Sequence, residues 1–255
     1  MKLLLTSAGI KNTGIANALV EMLGKPIAEA SALVIPTAAY PAGGPAAAWR
    51  IVSGRAMSPL CEIGWKSLGL LELTALPSID AAQWIPIVRE TDALLVGGGD
   101  PLYLAHWLQQ SGAADVLASL QDTVWVGVSA GSLVAAPHLG QDLSDWQSPT
   151  GSVEGLGLVD FGIFPHLDNP DMPEFGLADA ERWAAALDVP GYAIDDQTAI
   201  TVIDGEIAVV SEGHWKLFDC PVLLIYTLNW EEPVWVGHPG VSACSSVLAP
   251  VAIRS

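Results

Sequence analysis

Residues 124–134 form an apolar stretch that is interrupted once, by Gly-Val-Ser-Ala-Gly at positions 127–131. An apolar run that breaks at Gly-X-Ser-X-Gly and then resumes predicts a buried strand, a sharp turn and a helix. At such a turn the serine hydroxyl projects clear of the sheet, and the two glycines leave room for the backbone and for a ligand. The alternative is a glycine-rich turn in which Ser129 only caps the helix. We favour a nucleophilic Ser129, because the residues described below fit that role.

The order of apolar and amphipathic segments predicts an α/β fold. Short apolar runs, typical of strands buried on both faces, alternate with segments of helical periodicity. This alternation favours a three-layer, doubly wound and largely parallel sheet with helices on both faces. The predicted strands span residues 3–6, 32–36, 70–76, 93–96, 124–128 and 156–164. The predicted helices span residues 13–23, 45–56, 79–90, 101–110, 113–120, 132–137 and 177–187.

The character of the chain changes after about residue 179. Short strand-like segments then follow one another closely, and Asp204-Gly205 is a typical hairpin turn. We expect these segments to extend the same sheet in antiparallel fashion. Residues 221–255 have no clear periodicity and are not placed. Because no linker or repeat divides the chain, we expect residues 1–255 to form one domain. The strand-like segments span residues 192–194, 199–202, 207–211 and 215–218.

Charge and composition exclude several function classes. The chain has 28 acidic and 10 basic residues and a formal net charge of −18, and a field of that sign repels nucleic acid and anionic lipid surfaces. We therefore expect neither a nucleic-acid nor a membrane partner. No run approaches the ~18 apolar residues of a membrane-spanning helix, and the amino terminus lacks the features of a signal peptide, so we expect a cytoplasmic protein. Three distant cysteines predict neither a disulfide framework nor a metal site.

A second unusual strand end lies at residues 97–100, Gly-Gly-Gly-Asp, which follow the predicted strand 93–96. Ligands of open α/β sheets bind at the carboxyl ends of the strands. Consecutive glycines there allow backbone N–H groups to turn toward an anion, as an oxyanion hole requires. The glycine run lacks the Gly-X-Gly-X-X-Gly spacing of a dinucleotide site, so we expect no cofactor.

A serine nucleophile needs a base, and His166 is the best placed of five histidines. It directly follows the apolar run 156–164, so it lies at a strand end from which it can face Ser129. For the other histidines a surface or core role is favoured: His106, His138, His214 and His238.

The base in turn needs a carboxylate that fixes its tautomer and stabilises the imidazolium. Asp142 and Asp145 lie in a loop between Ser129 and His166, and Glu154 is a more distant candidate. The sequence leaves the choice between Asp142 and Asp145 open.

Three of these segments occur in an order that resembles a known family. Gly-Gly-Gly-Asp at 97–100, Gly-Val-Ser-Ala-Gly-Ser at 127–132 and Phe-Pro-His at 164–166 are similar to motifs of the aspartyl dipeptidase (peptidase E) and cyanophycinase family of serine peptidases. The resemblance covers roughly residues 1–218. It implies a fold related to class I glutamine amidotransferases, which is a flavodoxin-like arrangement.

The resemblance also implies roles for individual residues. Ser129 would be the nucleophile of an exopeptidase acting on a small peptide, and His166 the base. Asp100 stands where the family usually has asparagine and would pair with the substrate's α-ammonium group. Neither a metal nor a cofactor is implied, and a homodimer stays open. The oxyanion hole would use backbone N–H groups of Gly98, Gly99 and Ala130.

Two departures from the family pattern bear on activity and specificity. An ungapped comparison places Ser144 at the position of the triad aspartate. Aspartyl-specific members also carry basic residues downstream of the histidine, where this chain offers only Arg182 as a substrate-binding cation. Two other hypotheses therefore stay open. One is a peptidase-like binding protein without a working triad, and the other is an α/β-hydrolase esterase with His214 or His238 as the base.

Overall fold

The computed structural model describes residues 1–139 and 143–219, and the backbone alone of residues 252–254. Asp142, His238 and most of the segment 221–255 lie outside the described residues. The strands are β1 Lys2–Thr6, β2 Ser31–Ile35, β3 Ser67–Leu70, β4 Ala93–Val96, β5 Val124–Val128, β6 Gly162–Phe164, β7 Gly191–Ile194, β8 Thr198–Ile203, β9 Glu206–Ser211, β10 Trp215–Phe218 and β11 Ala252–Arg254. The helices are α1 Thr13–Leu23, α2 Ala39–Val52, α3 Ala81–Glu90, α4 Pro101–Gln110, α5 Ala113–Leu117, α6 Ala130–Leu133 and α7 Leu177–Ala184.

The main sheet has the strand order β11-β9-β8-β1-β5-β4-β2-β3. Five neighbouring strands run parallel to one another, in the order β1, β5, β4, β2 and β3. On the other side of β1, β8 pairs antiparallel with β1, and β9 pairs antiparallel with β8. This arrangement confirms the predicted α/β fold with a largely parallel sheet and an antiparallel extension. None of the helices in the described ranges is both long and apolar enough to cross a membrane.

The two faces of the sheet bury separate apolar layers. Alternate residues of β1 point to opposite faces: Leu3 and Leu5 join one layer, and Leu4 joins the other. Side chains of α3, α4 and α5 cover the first layer, and α1 covers the second. The predicted three-layer organisation therefore follows from runs that are apolar at every position.

The carboxyl-terminal strands differ from the prediction in one respect. Of the four strand-like segments predicted after residue 179, β8 and β9 extend the main sheet, whereas β7 pairs with β6 and β10 in a second, three-stranded sheet. The small sheet packs on α7. Gly162 and Gly191 permit this contact, because a Cβ atom on either residue would overlap the Trp183 ring. Of the predicted strand 156–164, only Gly162–Phe164 is a strand, β6. The predicted strand 70–76 is also wrong in its bounds, because β3 ends at Leu70 and a helical turn follows at Leu76–Ser78.

The turn from β5 to α6 is held by close backbone packing. A Cβ atom on Gly127 would overlap the carbonyl oxygen of Gly131, and a Cβ atom on Gly131 would overlap that of Val96. The buried Trp125 indole also donates to the Gly131 carbonyl at 2.8 Å. Both glycines of the motif are thus required by the space between strand and helix.

Replacement of Gly127 by alanine should therefore destabilise the protein strongly. We expect Gly127→Ala to lower the free energy of unfolding by about 3 kcal/mol or more, because backbone atoms must move to admit the methyl group. Gly112→Ala is a matched control, since Gly112 has a φ of 74° but open space around it, and it should cost only about 1–2 kcal/mol. Urea unfolding of both variants measures the difference. Equal losses would show that the missing space at position 127 costs no more than the unfavourable φ at position 112, which would contradict the packing described here.

Candidate functional site

Ser129 occupies a strained backbone position between β5 and α6. Its φ and ψ are 48° and −113°, a conformation that residues with a side chain rarely adopt. The backbone holds it there from both sides: the Ser129 N–H donates to the Thr6 carbonyl at 3.0 Å, and the Ser129 carbonyl accepts from the N–H of Ser132 and Leu133. This geometry is that of the predicted elbow.

Two pairs of parallel strands bring the polar residues of the site together. In the main sheet, β1 and β5 are neighbours with Thr6 opposite Val128, so Ser7 and Ser129 emerge side by side. In the small sheet, β6 and β7 are neighbours with Phe164 opposite Ala193. Each of these strands is followed two residues later by a polar side chain, His166 and Asp196. Within each sheet the carboxyl ends lie at one edge, and the contacts of His166 with Ser7 and Ser129 show that the two edges face each other.

His166 lies between Ser129 and Asp196. Its Nε2 is 3.0 Å from Ser129 Oγ, and its Nδ1 is 2.8 Å from Asp196 Oδ1. The ring of Phe175 packs edge-on against the imidazole with a centroid distance of 5.6 Å, which limits rotation of the ring. The backbone of His166 also has a positive φ of 57°.

Several groups keep the Asp196 carboxylate charged. The hydrogen bond from His166 holds the pKa of Asp196 below its ordinary value, and the hydroxyl of Ser7 and the charge of Lys11 act in the same direction, against partial burial. The Asn169 amide donates to Oδ2 at 2.9 Å. An ionised carboxylate only accepts hydrogen bonds, so the His166 Nδ1 carries the proton. The Nε2 atom is then free to accept a proton from Ser129 Oγ.

Ser7 joins the two sheets at this point. Its side chain is fully buried, and its Oγ accepts a 2.6 Å hydrogen bond from the backbone N–H of His166. The same hydroxyl donates to Asp196 Oδ1 at 3.1 Å. One buried hydroxyl therefore contacts both the backbone of the histidine and the carboxylate behind it.

The carboxylate beside His166 is Asp196 and not Asp145, so the prediction for that residue is corrected. Asp145 is exposed, in a loop that Ser144 and Trp146 attach to Asp100. Asp142 lies outside the described residues. The sequence pointed to the segment between Ser129 and His166, whereas the small sheet brings in a residue 30 positions after His166.

Asp100 binds neighbouring parts of the protein and does not face the cavity where a substrate contact was predicted. It caps α4 through the N–H of Tyr103 at 2.9 Å, and it accepts from the Ser144 hydroxyl and the Trp146 N–H. Its side chain is buried at 5% exposure. Because its oxygens are occupied by these donors, Asp100 does not present a carboxylate to the cavity at Ser129.

The glycine run forms the floor of a cavity of about 400 Å³ in front of Ser129. A Cβ atom on Gly98 would lie 3.4 Å from that of Ser129, and Gly99 has a φ of 139° and packs against the Ala38 backbone. Ala130 directly follows Ser129 at the start of α6. Gly98 and Ala130 therefore adjoin Ser129, and Gly99 lines the same cavity. The walls include Ile51, Leu60, Met172, Glu174 and Phe175.

The remaining candidates lie away from this cavity. Arg182 is exposed, pairs with Asp179 and lines a neighbouring cavity that shares Glu174 and Phe175 with the cavity at Ser129, so its contact with substrate stays a prediction. His214 contacts Asp168 and Asp195. His106 packs against Trp107 and Trp146. His138 forms an isolated bridge with Glu154.

The sequence reasoning missed Ser7, Asn169 and Asp196. A signal for Asp196 was present, since two aspartates follow the strand-like segment 192–194. Asp195 accepts from Gln197 and Thr198 in its own turn and from the His214 N–H before β10, whereas Asp196 contacts His166. The antiparallel extension expected for this region placed neither of them near the site.

Comparisons with known proteins relate the chain to peptidases. The model of peptidase family S51 matches residues 3–210. The chain is 33% identical to peptidase E of Nostoc sp. over 139 residues, which are 52% of this chain and 57% of that protein. It is 28% identical to a probable alpha-aspartyl dipeptidase of Drosophila melanogaster over 141 residues, which are 51% of this chain and 58% of that protein. The chain thus spans little more than half of the length of these two relatives.

Two solved structures share the fold. A putative peptidase E protein from Listeria monocytogenes superimposes with a TM-score of 0.60 at 19% identity, covering 83% of this chain and 98% of that one. A peptidase from an acI-B1 actinobacterium gives a TM-score of 0.58 at 20% identity, covering 86% and 94%. These likenesses confirm the fold, and the match in family confirms the resemblance found in the sequence.

The lowered pKa of Asp196 predicts a change of stability with pH. A carboxyl whose pKa is lower in the folded state stabilises it above the unfolded value of about 4, and this contribution is lost as the pH falls through the folded pKa. The unfolding free energy of the wild type minus that of Asp196→Asn should therefore decrease between pH 6 and pH 3, as measured by urea titrations.

The His166→Ala background is the control for this measurement. It removes the largest cause of the lowered pKa, so Asp196→Asn should then change the pH dependence less. A difference that stays constant or grows toward pH 3 in the presence of His166 would contradict the assigned hydrogen bond.

Proposed function

The chain belongs to peptidase family S51, and on that premise we propose that it is a serine peptidase that cleaves dipeptides or other short peptides. The observation that carries the proposal is the series Ser129 Oγ, His166 and Asp196, joined at 3.0 and 2.8 Å. The cavity in front of Ser129, about 400 Å³, has the size of a small-ligand site. Relatives named peptidase E and alpha-aspartyl dipeptidase support the same class of reaction.

In the first step Ser129 Oγ attacks the scissile carbonyl carbon. The hydroxyl proton passes to His166 Nε2, and the carbonyl π electrons move to the oxygen, which becomes an oxyanion. Asp196 remains ionised and stabilises the imidazolium that forms. The strained position of Ser129 contributes by holding Oγ at 3.0 Å from its base before substrate binds.

The oxyanion needs donors that are already in place. We assign the backbone N–H groups of Gly98, Gly99 and Ala130 to this role, because these residues lie beside Ser129 at the floor of the cavity. Preorganised donors of this kind are worth about 3–4 kcal/mol of transition-state stabilisation in other serine hydrolases. The backbone N–H of Asp100 donates to the Ala38 carbonyl at 2.8 Å, and this bond helps to fix the glycine loop that carries the proposed donors.

Collapse of the tetrahedral intermediate breaks the C–N bond. His166 gives its proton to the leaving amine, and the acyl group stays on Ser129 as an ester. Water then attacks the ester with His166 again as base, which releases the acid product and restores the hydroxyl. No step requires a metal or a cofactor.

The geometry bears on the two other hypotheses as well. An esterase with His214 as base is disfavoured, because His214 contacts Asp168 and Asp195 rather than Ser129. A binding protein without a triad was suggested by the serine at position 144. Asp196 supplies a carboxylate in its place, which removes the reason for that hypothesis.

Substitution of the assigned residues should abolish peptide hydrolysis. We expect Ser129→Ala and His166→Ala each to lower kcat at least about 1,000-fold on dipeptides, because nucleophile and base act as a unit. Asp196→Asn should lower kcat by about 100-fold or more, because the amide favours the wrong tautomer of His166. A dipeptide assay with product detection by mass spectrometry measures these losses.

Asp145→Asn and His214→Ala are the controls for these variants. Each removes a residue that the sequence offered for the same role, and each should change kcat less than about threefold. Full activity of His166→Ala, or a loss in Asp145→Asn as large as that in Asp196→Asn, would sink the assignment.

Ser7 should act as a positioning residue. We expect Ser7→Ala to lower kcat by about tenfold with little change in KM, since it frees the His166 backbone without touching substrate. Ser119→Ala removes a hydroxyl whose hydrogen bond within the described residues is to the Val116 carbonyl, and it should have no effect. An unchanged kcat in Ser7→Ala, or a change confined to KM, would argue against this role.

A further inference from the structure

The glycine loop, residues 97–99, has no side chains that could hold its N–H groups in place. Glycine loses more conformational freedom on folding than any other residue, so such a loop has to be fixed from its two ends. At the first end the Gly97 N–H donates to the Ile35 carbonyl at 3.0 Å. At the second end the backbone of Asp100 is bound to Ala38. The position of the proposed oxyanion donors therefore depends on the contacts that hold Asp100.

The side chain of Asp100 is an anchor at that second end. Its carboxylate is buried and accepts three hydrogen bonds: Oδ1 from the Tyr103 N–H at 2.9 Å and from the Ser144 hydroxyl at 2.7 Å, and Oδ2 from the Trp146 N–H at 3.0 Å. Asp100 forms no ion pair with a residue of the described ranges. Burial of a carboxylate is costly unless donors compensate it, so these three donors hold the side chain where it is.

Two of the three donors come from a loop that is distant in sequence. Ser144 and Trp146 follow Asp100 by 44 and 46 positions. The Trp146 ring also packs edge-on against Tyr103 at 5.3 Å and lies 5.2 Å from the His106 ring, so residues 143–146 are seated on α4. This loop therefore clamps the start of the helix that directly follows the glycine loop.

We propose that Asp100 is a positioning residue whose carboxylate, held by the loop 143–146, fixes the glycine loop and with it the oxyanion donors. The proposal rests on the proposed peptidase function and adds to it a contact outside the cavity. Neither Asp100 nor the loop is among the described residues that line the cavity at Ser129. The oxyanion exists only after Ser129 has attacked, so a displaced donor weakens transition-state binding more than substrate binding. Changes at Asp100 should therefore lower kcat and leave KM nearly unchanged.

Asp100→Asn separates the loop contact from helix capping. Asparagine caps helices as well as aspartate does, but an amide has a single acceptor oxygen. It can therefore accept from the Tyr103 N–H or from the Trp146 N–H, which now bind different oxygens, but not from both. We expect kcat on dipeptides to fall by about tenfold, with KM changed less than about twofold.

Asp80→Asn is the matched control. Asp80 caps α3 through the Ala82 N–H at 3.0 Å, and it is exposed and does not line the cavity at Ser129. The same substitution at this helix start should change neither kcat nor KM.

Substitutions at position 144 test whether the two side chains act through direct contact. Ser144→Ala removes one donor and keeps the cap, so kcat should fall by only about threefold. Ser144→Asp places a second carboxylate beside Asp100 and should lower kcat by about tenfold. In the double variant D100N/S144D the introduced amide can donate to the introduced carboxylate. Its kcat should therefore exceed that of either single variant by at least about threefold.

Urea unfolding identifies the conditions in which each variant is folded, and kcat and KM are measured there. The proposal is overturned if Asp100→Asn retains the kcat of the wild type, or if its loss lies in KM. It is also overturned if the losses at positions 100 and 144 multiply in the double variant, because two side chains with independent structural roles would give that result.

Hydrogen exchange separates this proposal from the proposed function. The amides of Gly97 and Asp100 are hydrogen-bonded, so their exchange reports opening of the loop. In the Ser129→Ala protein, which needs no catalysis, adding Asp100→Asn should speed exchange by about tenfold in peptides that cover residues 97–100, whereas adding Asp80→Asn should not. Faster exchange in a protein whose wild type hydrolyses no peptide would contradict the peptidase and support the anchor. Unchanged exchange together with hydrolysis by the wild type would overturn the anchor and leave the peptidase standing.

Discussion

The buried hydroxyl of Ser7 is the contact on which the rest of the site depends. It accepts from the His166 backbone at 2.6 Å and donates to Asp196 at 3.1 Å, so it connects the end of β1 in the main sheet with the ends of β6 and β7 in the small sheet. His166 follows a strand of the small sheet and Ser129 follows a strand of the main sheet, and the Ser7 contact fixes one relative to the other. The distance of 3.0 Å between His166 Nε2 and Ser129 Oγ therefore depends on the relative position of the two sheets.

Strain and close packing accompany this junction. Ser129 and His166 both have positive φ angles, a conformation that costs of order 1–3 kcal/mol per residue. The surrounding backbone maintains it, because Gly127 and Gly131 let α6 approach β5 and β4 without side chains between them. The result is a serine whose hydroxyl already faces its base before a ligand arrives.

The sequence predicted the main sheet, the elbow and His166, because each depends on local patterns: buried runs, a glycine-flanked serine and a polar residue at a strand end. It offered two aspartates after the segment 192–194 but could not place Asp196 beside His166, because that contact depends on the pairing of β7 with β6. Pairing between distant short strands leaves little trace in periodicity.

The central claim is that Ser129 is activated by His166, and covalent labelling tests it most directly. A fluorophosphonate should modify Ser129, as located by peptide mapping with mass spectrometry, and the second-order rate constant should fall at least about 100-fold in His166→Ala. The Asp145→Asn protein should react at the rate of the wild type. Absence of an adduct on Ser129 in the folded protein, or an equal labelling rate without His166, would contradict the account.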